Sequence, residues 1–492
     1  FTFTKNFYCV VIKITVICFY LFILLSVVAI SMLIPLIVAF AYGEVGVYVP
    51  FLIPILSCIS LGIIFYFIGK NQKIKLSIRS GFAIVAIFWI CASFLGSLPI
   101  YLSGFAKSFT DAFFESVSGF STTGATIFSD VEILPRSINL WRCQMHWLGG
   151  MGIVVLTVAL MPILGVGGFK LIKAETTGPE KDKITPKITV TAKILWIIYV
   201  SFTAAQTILL MFAGMDFVDA LSHAFSTLGT GGFSTKNSSI GFYNSDAIQW
   251  ICTAFMIFSG VNFSLYFKLF TGNAKELITN TEFKAFLGIL FTSIFIVTLA
   301  ILPQYQNFFT SFRYSAFHVA SIMSTTGFAT QNYLEWVSLA QIVLFFLMFV
   351  GGSSGSTSGG VKVIRWVILA KQSTNESLKM LHPHGIFSIR INGRAGRNDV
   401  VYNVSAFFFL YALLVLITTI ITSIGGSDIL TSFTASLSVV GNIGPGFGKI
   451  GPMDNFAQFA PAIKWWYCFA MLAGRLELYT MIIFFNKAFW KK

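Results

Sequence analysis

The chain has 492 residues, of which 56% are hydrophobic and only 11% are charged. Soluble domains carry about 25% charged residues, so the composition excludes a freely soluble protein and points to a chain built for lipid. A formal net charge of +14 invites nucleic acid as a partner, but the placement of the charges argues for none.

Segments long enough to cross a bilayer, roughly 20 apolar residues, fall near residues 8–40, 50–69, 80–102, 139–168, 188–213, 247–271, 284–302, 337–370, 399–424 and 460–486. The first exceeds the roughly 7–15-residue apolar core of a signal peptide and has no small-residue cleavage site, so it is expected to stay as a membrane helix. Residue 1 is Phe rather than Met, and the chain is expected to begin after its natural start. The seven cysteines show neither pairing nor metal-ligand spacing and are expected to pack. Of the 33 Lys and Arg, 25 lie in alternate loops, with six between Lys170 and Lys193 and seven between Lys362 and Arg397. The intervening loops carry seven, together with 11 of the 19 acids. This positive-inside bias puts both termini in the cytoplasm and turns the basic side toward anionic lipid or a cytosolic partner.

Between alternate pairs of spans lie four shorter stretches: "SFTDAFFESVSGFSTTGATIF", "DFVDALSHAFSTLGTGGFST", "SFRYSAFHVASIMSTTGFAT" and "SDILTSFTASLSVVGNIGPGFG". Each opens with a helix-start signal at or beside Asp111, Asp219, Ser311 or Asp428, and each ends in a turn rich in small residues. The turns align on Gly124, Gly231, Gly327 and Gly444, spaced 107, 96 and 117 residues apart. A recurrence of about 100 residues marks a fourfold internal duplication. Non-helical backbone at membrane depth is tolerated where it is buried or lines a water-filled cavity. Four such turns on one axis offer a ring of carbonyls that can replace a cation's hydration shell. The half-helices would point their negative ends at it.

At "GFSTTGAT", "STLGTGGFST", "MSTTGFAT" and "GNIGPGFG" the chain resembles the Trk/Ktr/HKT superfamily of potassium transporters. "HWLGGMGIVVLTVALMPILGVGG", "KAETTGPEKDKITPKI", "GGSSGSTSGGVKVIRW", "HPHGIFSIRINGR" and "GRLELYT" make it similar to the TrkH-type subunit, from about residue 60 to the end. The resemblance implies an all-α polytopic membrane protein of about ten transmembrane helices. Four pseudo-symmetric helix–pore-loop–helix repeats (73–178, 179–275, 276–398 and 399–492) would surround one central pore, after an additional two-helix region at 1–72. It also implies a homodimer, a cytosolic TrkA-type nucleotide-binding regulatory ring, K+ as the transported ion and no organic cofactor in this chain. The filter carbonyls carried over are those of Thr122, Thr123 and Gly124; Gly229, Thr230 and Gly231; Thr325, Thr326 and Gly327; and Asn442, Ile443 and Gly444. The fourth triplet departs from Thr-Thr-Gly and is followed by Pro445. Gly124 in the first unit, where Na+-admitting relatives have Ser, implies selection of K+ and Rb+ over Na+. Channel-like flux is the expected mode, with H+- or Na+-coupled symport as the alternative.

Trp336 to Ala370 would make a helix of about 52 Å at 1.5 Å per residue, well beyond a hydrocarbon core of roughly 30 Å. The run Gly351, Gly352, Ser353, Ser354, Gly355, Ser356, Thr357, Ser358, Gly359 and Gly360 is therefore expected to break it inside the membrane, where the resemblance assigns a gating loop. Arg475 lies inside an apolar segment. Intramembrane charges normally face a protein interior or pore, so it is expected to form a positive barrier beside the pore. Glu477, two residues on, is not expected to face it. The five histidines have no acidic or cysteine partners at metal spacing and are expected to pack or hydrogen-bond. "RINGRAGRND" follows no strand and reads as a cytosolic surface. Only Arg475 and Glu477 are ionisable near the midplane of their span, too few for a membrane-embedded enzyme.

Overall fold

The computed structural model describes residues 18–69, 78–164, 188–395 and 398–490. The expected helix start at 8–17, Cys9 and most of the loop "KAETTGPEKDKITPKI" lie outside these. Two helices, Cys18–Tyr42 and Tyr48–Gly69, come first. One pattern then occurs four times: a long helix, a half-helix, a turn and a second helix. The long helices are Ile78–Leu102, Ile188–Phe212, Thr281–Tyr305 and Asn398–Ile424. The half-helices are Phe109–Phe120, Phe217–Gly229, Phe308–Met323 and Ile429–Gly441. A small antiparallel pairing of Arg390–Ile391 with Arg394–Ala395 follows the third unit.

The described parts of the ten expected spans fall on helices, the eighth with an interruption. Among the described residues six helices are each long and apolar enough to cross a membrane, and two bent pairs bring the total to as many as eight. The two other expected spans are the continuous helix Arg136–Leu164 and the interrupted one, Ser338–Leu347 with Val363–Leu381. Two of the expected spans, 247–271 and 460–486, are bent. Asp246–Gly260 meets Phe263–Phe270 at 96°, and Pro461–Arg475 meets Tyr479–Phe485 at 119°. At the first bend Asn262 caps the new helix, accepting from the Ser264 N–H at 2.8 Å. At the second, Glu477 and Leu478 take φ of 58° and 61°, which ends the helix at once.

The half-helices are 12, 13, 16 and 13 residues long, about 18–24 Å at 1.5 Å per residue, so none can span. Their N-termini are capped by Ser108, Asp216, Asn307 and Asp428, up to four residues before the positions expected in the first three. Cap side chains satisfy N–H groups that the helix leaves without partners. Outer helices turn large apolar side chains outward (Ile197 and Phe295 are 65% and 63% exposed), as lipid contact requires. The half-helices instead bury every residue of their last two turns, serines and threonines included.

The units pack cyclically. Arg136–Leu164 lies on the second half-helix, Asp246–Gly260 on the third, and Pro461–Arg475 on the first. Phe345 and Phe349 of the third unit stack against Phe433 of the fourth half-helix. Small residues let backbones approach where a second helix also crosses the half-helix of its own unit. A methyl group on Gly149 would sit 1.9 Å from the Phe120 carbonyl oxygen, and one on Gly474 would sit 2.0 Å from that of Val440. Gly149→Ala is therefore expected to cost about 1–3 kcal/mol through overpacking, read as a lower thermal midpoint of the detergent-purified protein. Gly288→Ala, a helical site with open space around it, should leave the midpoint unchanged or raise it slightly.

Candidate cation filter and the loop beneath it

Each half-helix ends in the same way. Thr122, Thr230, Thr325 and Asn442 adopt left-handed φ of 56°, 54°, 58° and 53°. The next residue's N–H returns to the carbonyl of a serine: Thr123 to Ser118 at 2.9 Å, Gly231 to Ser226 at 2.9 Å, Thr326 to Ser321 at 2.8 Å, and Ile443 to Ser438 at 2.9 Å. This is the Schellman-type closure of a helix C-terminus. A β-branched Thr is rarely left-handed, and three such turns concentrate backbone strain at one place. Asn442 adopts the same conformation with less penalty.

The residue two beyond each of these is a glycine with positive φ: Gly124 (78°), Gly232 (82°), Gly327 (82°) and Gly444 (95°). Each faces a carbonyl of the next turn. An added methyl group would lie 1.9 Å from Gly231 O, 2.1 Å from Thr326 O, 2.3 Å from Ile443 O and 2.8 Å from Thr123 O, respectively. The sequence of contacts runs from the first turn through the second, third and fourth and back to the first, so the four turns form a closed ring.

The ring fixes a register that differs from the sequence alignment at one place. The counterpart of Gly124 is Gly232, not Gly231, and the second triplet is Thr230–Gly231–Gly232. Gly229 is the last helical residue, and its carbonyl accepts from Thr230 Oγ1 at 2.7 Å. In "GTGG" several glycines compete for the alignment, and only the left-handed threonine identifies which one turns. The first, third and fourth triplets fall on equivalent positions, Asn442 and Ile443 included.

Gly351–Gly360 does not behave as a solvated linker: Ser353, Thr357 and Ser358 are 2%, 0% and 3% exposed. The loop is pinned against the inner side of the turns. The Gly359 N–H donates to Thr325 Oγ1 at 2.7 Å, and Thr230 Oγ1 donates to the Thr357 carbonyl at 2.8 Å. Gly359 also lies against Asn442. The loop closes on itself through the Gly351 N–H to the Val361 carbonyl (2.9 Å) and follows the broken helix of the second unit, where the Ser353 N–H reaches the Gly260 carbonyl (2.8 Å) and Gly355 O accepts from Phe263 (3.1 Å). Ser356 Oγ turns back to the Ser353 carbonyl, Gly352 O accepts from Val363, and Gly360 lies against Thr325.

Arg475 sits at the last turn of its helix, next to the bend. It donates to Thr357 O at 2.9 Å and to Gly149 O and Gly150 O at 2.8 and 3.1 Å. It therefore ties the loop to the first unit's second helix. Glu477 pairs with Arg365, at the start of the helix after the loop. Sequence reasoning missed Glu282, whose carboxylate accepts from the Ser354 and Ile364 N–H groups at both ends of the loop (2.6 and 3.2 Å). Its only signal was an acid at the foot of an apolar span. In the segment beyond the first turn, Asn237 and the Glu132 N–H donate to Asp130 and hold its carboxyl below the ordinary value.

This architecture can now be set beside known proteins. The TrkH family, described as a cation transport protein, matches residues 49–492. The chain belongs to this family. Its members are transporters rather than enzymes, and the chain is a multi-pass membrane protein. It is 38% identical over 467 residues to the Trk system potassium uptake protein TrkH of Escherichia coli, covering 94% of this chain and 96% of that one. It is 37% identical to the Trk system potassium uptake protein TrkG of the same species, with 94% and 96% covered. The crystal structure of the potassium transporter TrkH from Vibrio parahaemolyticus superimposes with a TM-score of 0.87 at 35% identity, covering 97% of this chain and all of that one.

Gly327 tests the ring directly. Gly327→Ala puts a side chain at positive φ and against the Ile443 carbonyl, and strain of this size should lower cation uptake into proteoliposomes by at least about tenfold.

Proposed function

We propose that the chain takes up K+ across a bacterial plasma membrane through a K+-selective, channel-like pore that also admits Rb+. The observation that carries this reading is the closed ring of four carbonyl-bearing turns. Such a ring can replace the hydration shell of a cation without any titratable ligand, and four half-helix C-termini add negative potential. The relatives' printed names as potassium uptake proteins point the same way. In this reading the ion meets the carbonyls of the triplets that begin at Thr122, Thr230, Thr325 and Asn442. Gly124 in the first unit favours K+ over Na+. Both termini are cytoplasmic, in keeping with the basic alternate loops.

The loop Gly351–Gly360 acts as the gate. Its bonds to Thr230 and Thr325 hold it under the filter, and Arg475 is the latch that keeps it there as well as a positive charge beside the path. A cytosolic nucleotide-binding ring of the TrkA type moves the loop from the basic side, and the working unit is a homodimer.

Rb+ tracer uptake into proteoliposomes under an imposed voltage, without any other ion gradient, tests the reading. Uptake that follows the voltage and is competed by K+ but not by Na+ is expected. Uptake that appears only when H+ or Na+ is supplied would establish symport instead. Arg475→Ala removes three charge-assisted bonds and should raise uptake by the chain alone by at least about tenfold. Deleting Ser354–Ser356 should also raise it, and unchanged flux in both variants would leave the loop without a gating role.

A further inference from the structure

Beyond each filter glycine the chain runs outward, and its N–H groups have no strand to pair with. Each half-helix supplies an acceptor for that strand, taking a backbone N–H in the first, third and fourth units and a serine hydroxyl in the second. Seven residues before the left-handed position stand Glu115, His223 and His318 in the first three units. Glu115 accepts from the Ile127 N–H at 2.8 Å and from Thr126 Oγ1 at 3.0 Å. His223 gives its Nδ1 hydrogen to the Asp219 carbonyl at 2.7 Å, which leaves Nε2 to accept from Ser234 Oγ at 2.9 Å. His318 Nε2 faces the Thr330 and Gln331 N–H groups at 3.4 and 3.3 Å and Thr330 Oγ1 at 3.2 Å. In the fourth unit the corresponding residue is Ala435, and Thr434 takes the task one position earlier. Its Oγ1 accepts from the Phe447 N–H at 3.1 Å.

The side chains differ in kind but share one property, an acceptor aimed at the strand just past the ring. Glu115 and its partner Arg142 are 0% and 1% exposed and paired at 2.7 Å. Arg142 also lies over the Phe233 ring of the second unit at 4.4 Å, so the first brace is joined to the second strand. Burying a carboxylate and two imidazoles costs desolvation that an apolar residue at the same helical position would avoid. Packing alone therefore does not account for them.

We propose that Glu115, His223, His318 and Thr434 are positioning residues for ion selection: they hold the outward strands so that the ring's carbonyls keep the spacing that distinguishes K+ from Na+. The inference rests on the pore reading above. The test is Rb+ uptake by the full chain in proteoliposomes, competed in turn by K+ and Na+. His223→Leu and His318→Leu should each lose about three- to tenfold of the preference for K+ over Na+, the size of one buried hydrogen bond. His318→Gln, which restores an acceptor, should recover most of it. Monodisperse Leu variants with unaltered preference would overturn the proposal. Where the Leu variants do not fold, Ser234→Ala removes the partner while keeping His223, and an unchanged preference there overturns it equally. A wild-type chain and an Arg475→Ala variant that both take up no Rb+ under voltage refute the pore reading itself, whereas a selective wild type with equally selective variants refutes only the braces.

Discussion

The structure turns on one contact made four times: a glycine Cα of one turn against a backbone carbonyl of the next. Four irregular segments can meet at one axis only where nothing larger than hydrogen intervenes. The backbone groups released from helix there must be satisfied by the protein itself, because lipid offers no partner. The Ser-carbonyl closures answer part of that demand and the acceptors behind the outer strands answer more. The cyclic packing of second helices on neighbouring half-helices holds the units at the distance the contact needs. Larger side chains at Gly149 and Gly474 would wedge the second helices away from the ends of their own units' half-helices.

Much of this was legible in the sequence. Ten apolar segments, alternating basic loops and four short stretches ending in glycine were enough to give an all-helical, four-unit architecture. The left-handed glycines were found in three units because they are isolated among larger residues. In the second they were not, since Gly229, Gly231 and Gly232 differ only in backbone angle, and composition does not encode which one turns. The first bend was hidden because Val261 and Asn262 are unremarkable inside an apolar run. The second was hidden because Glu477 and Leu478 take angles that neither residue type favours. Glu282, Arg365 and Glu477 were invisible as a group because their association depends on bringing the two ends of the third unit and a bend of the fourth together. His223 and His318 were expected to pack or hydrogen-bond, yet their shared position became evident only once the turns were in register.

The units are alike in plan and unlike below the ring. The first unit's second helix, Arg136–Leu164, has no bend of the kind seen in the second and fourth, and the third is interrupted by the glycine–serine loop. The irregular backbone of all three broken helices gathers on one side of the ring. There the loop takes bonds from Gly260 and Ser259 of the second unit and from Arg475 of the fourth. Near-symmetry thus serves the ring, where an ion needs similar ligands on all sides, and its loss serves the space beneath.

The loop's two bonds to the turns carry a further consequence. Thr230 and Thr325 occupy equivalent places in the ring, and both hydroxyls reach the loop, that of Thr230 sharing its hydrogen between Thr357 O and Gly229 O. The loop and any cation that draws on those hydroxyls are therefore rivals for the same groups, and their binding is linked in both directions with equal strength. Raising the internal concentration of such a cation would loosen the loop, and seating the loop would weaken the cation's hold by the same factor. In such a pore, the occupancy of these hydroxyls is itself part of the switch.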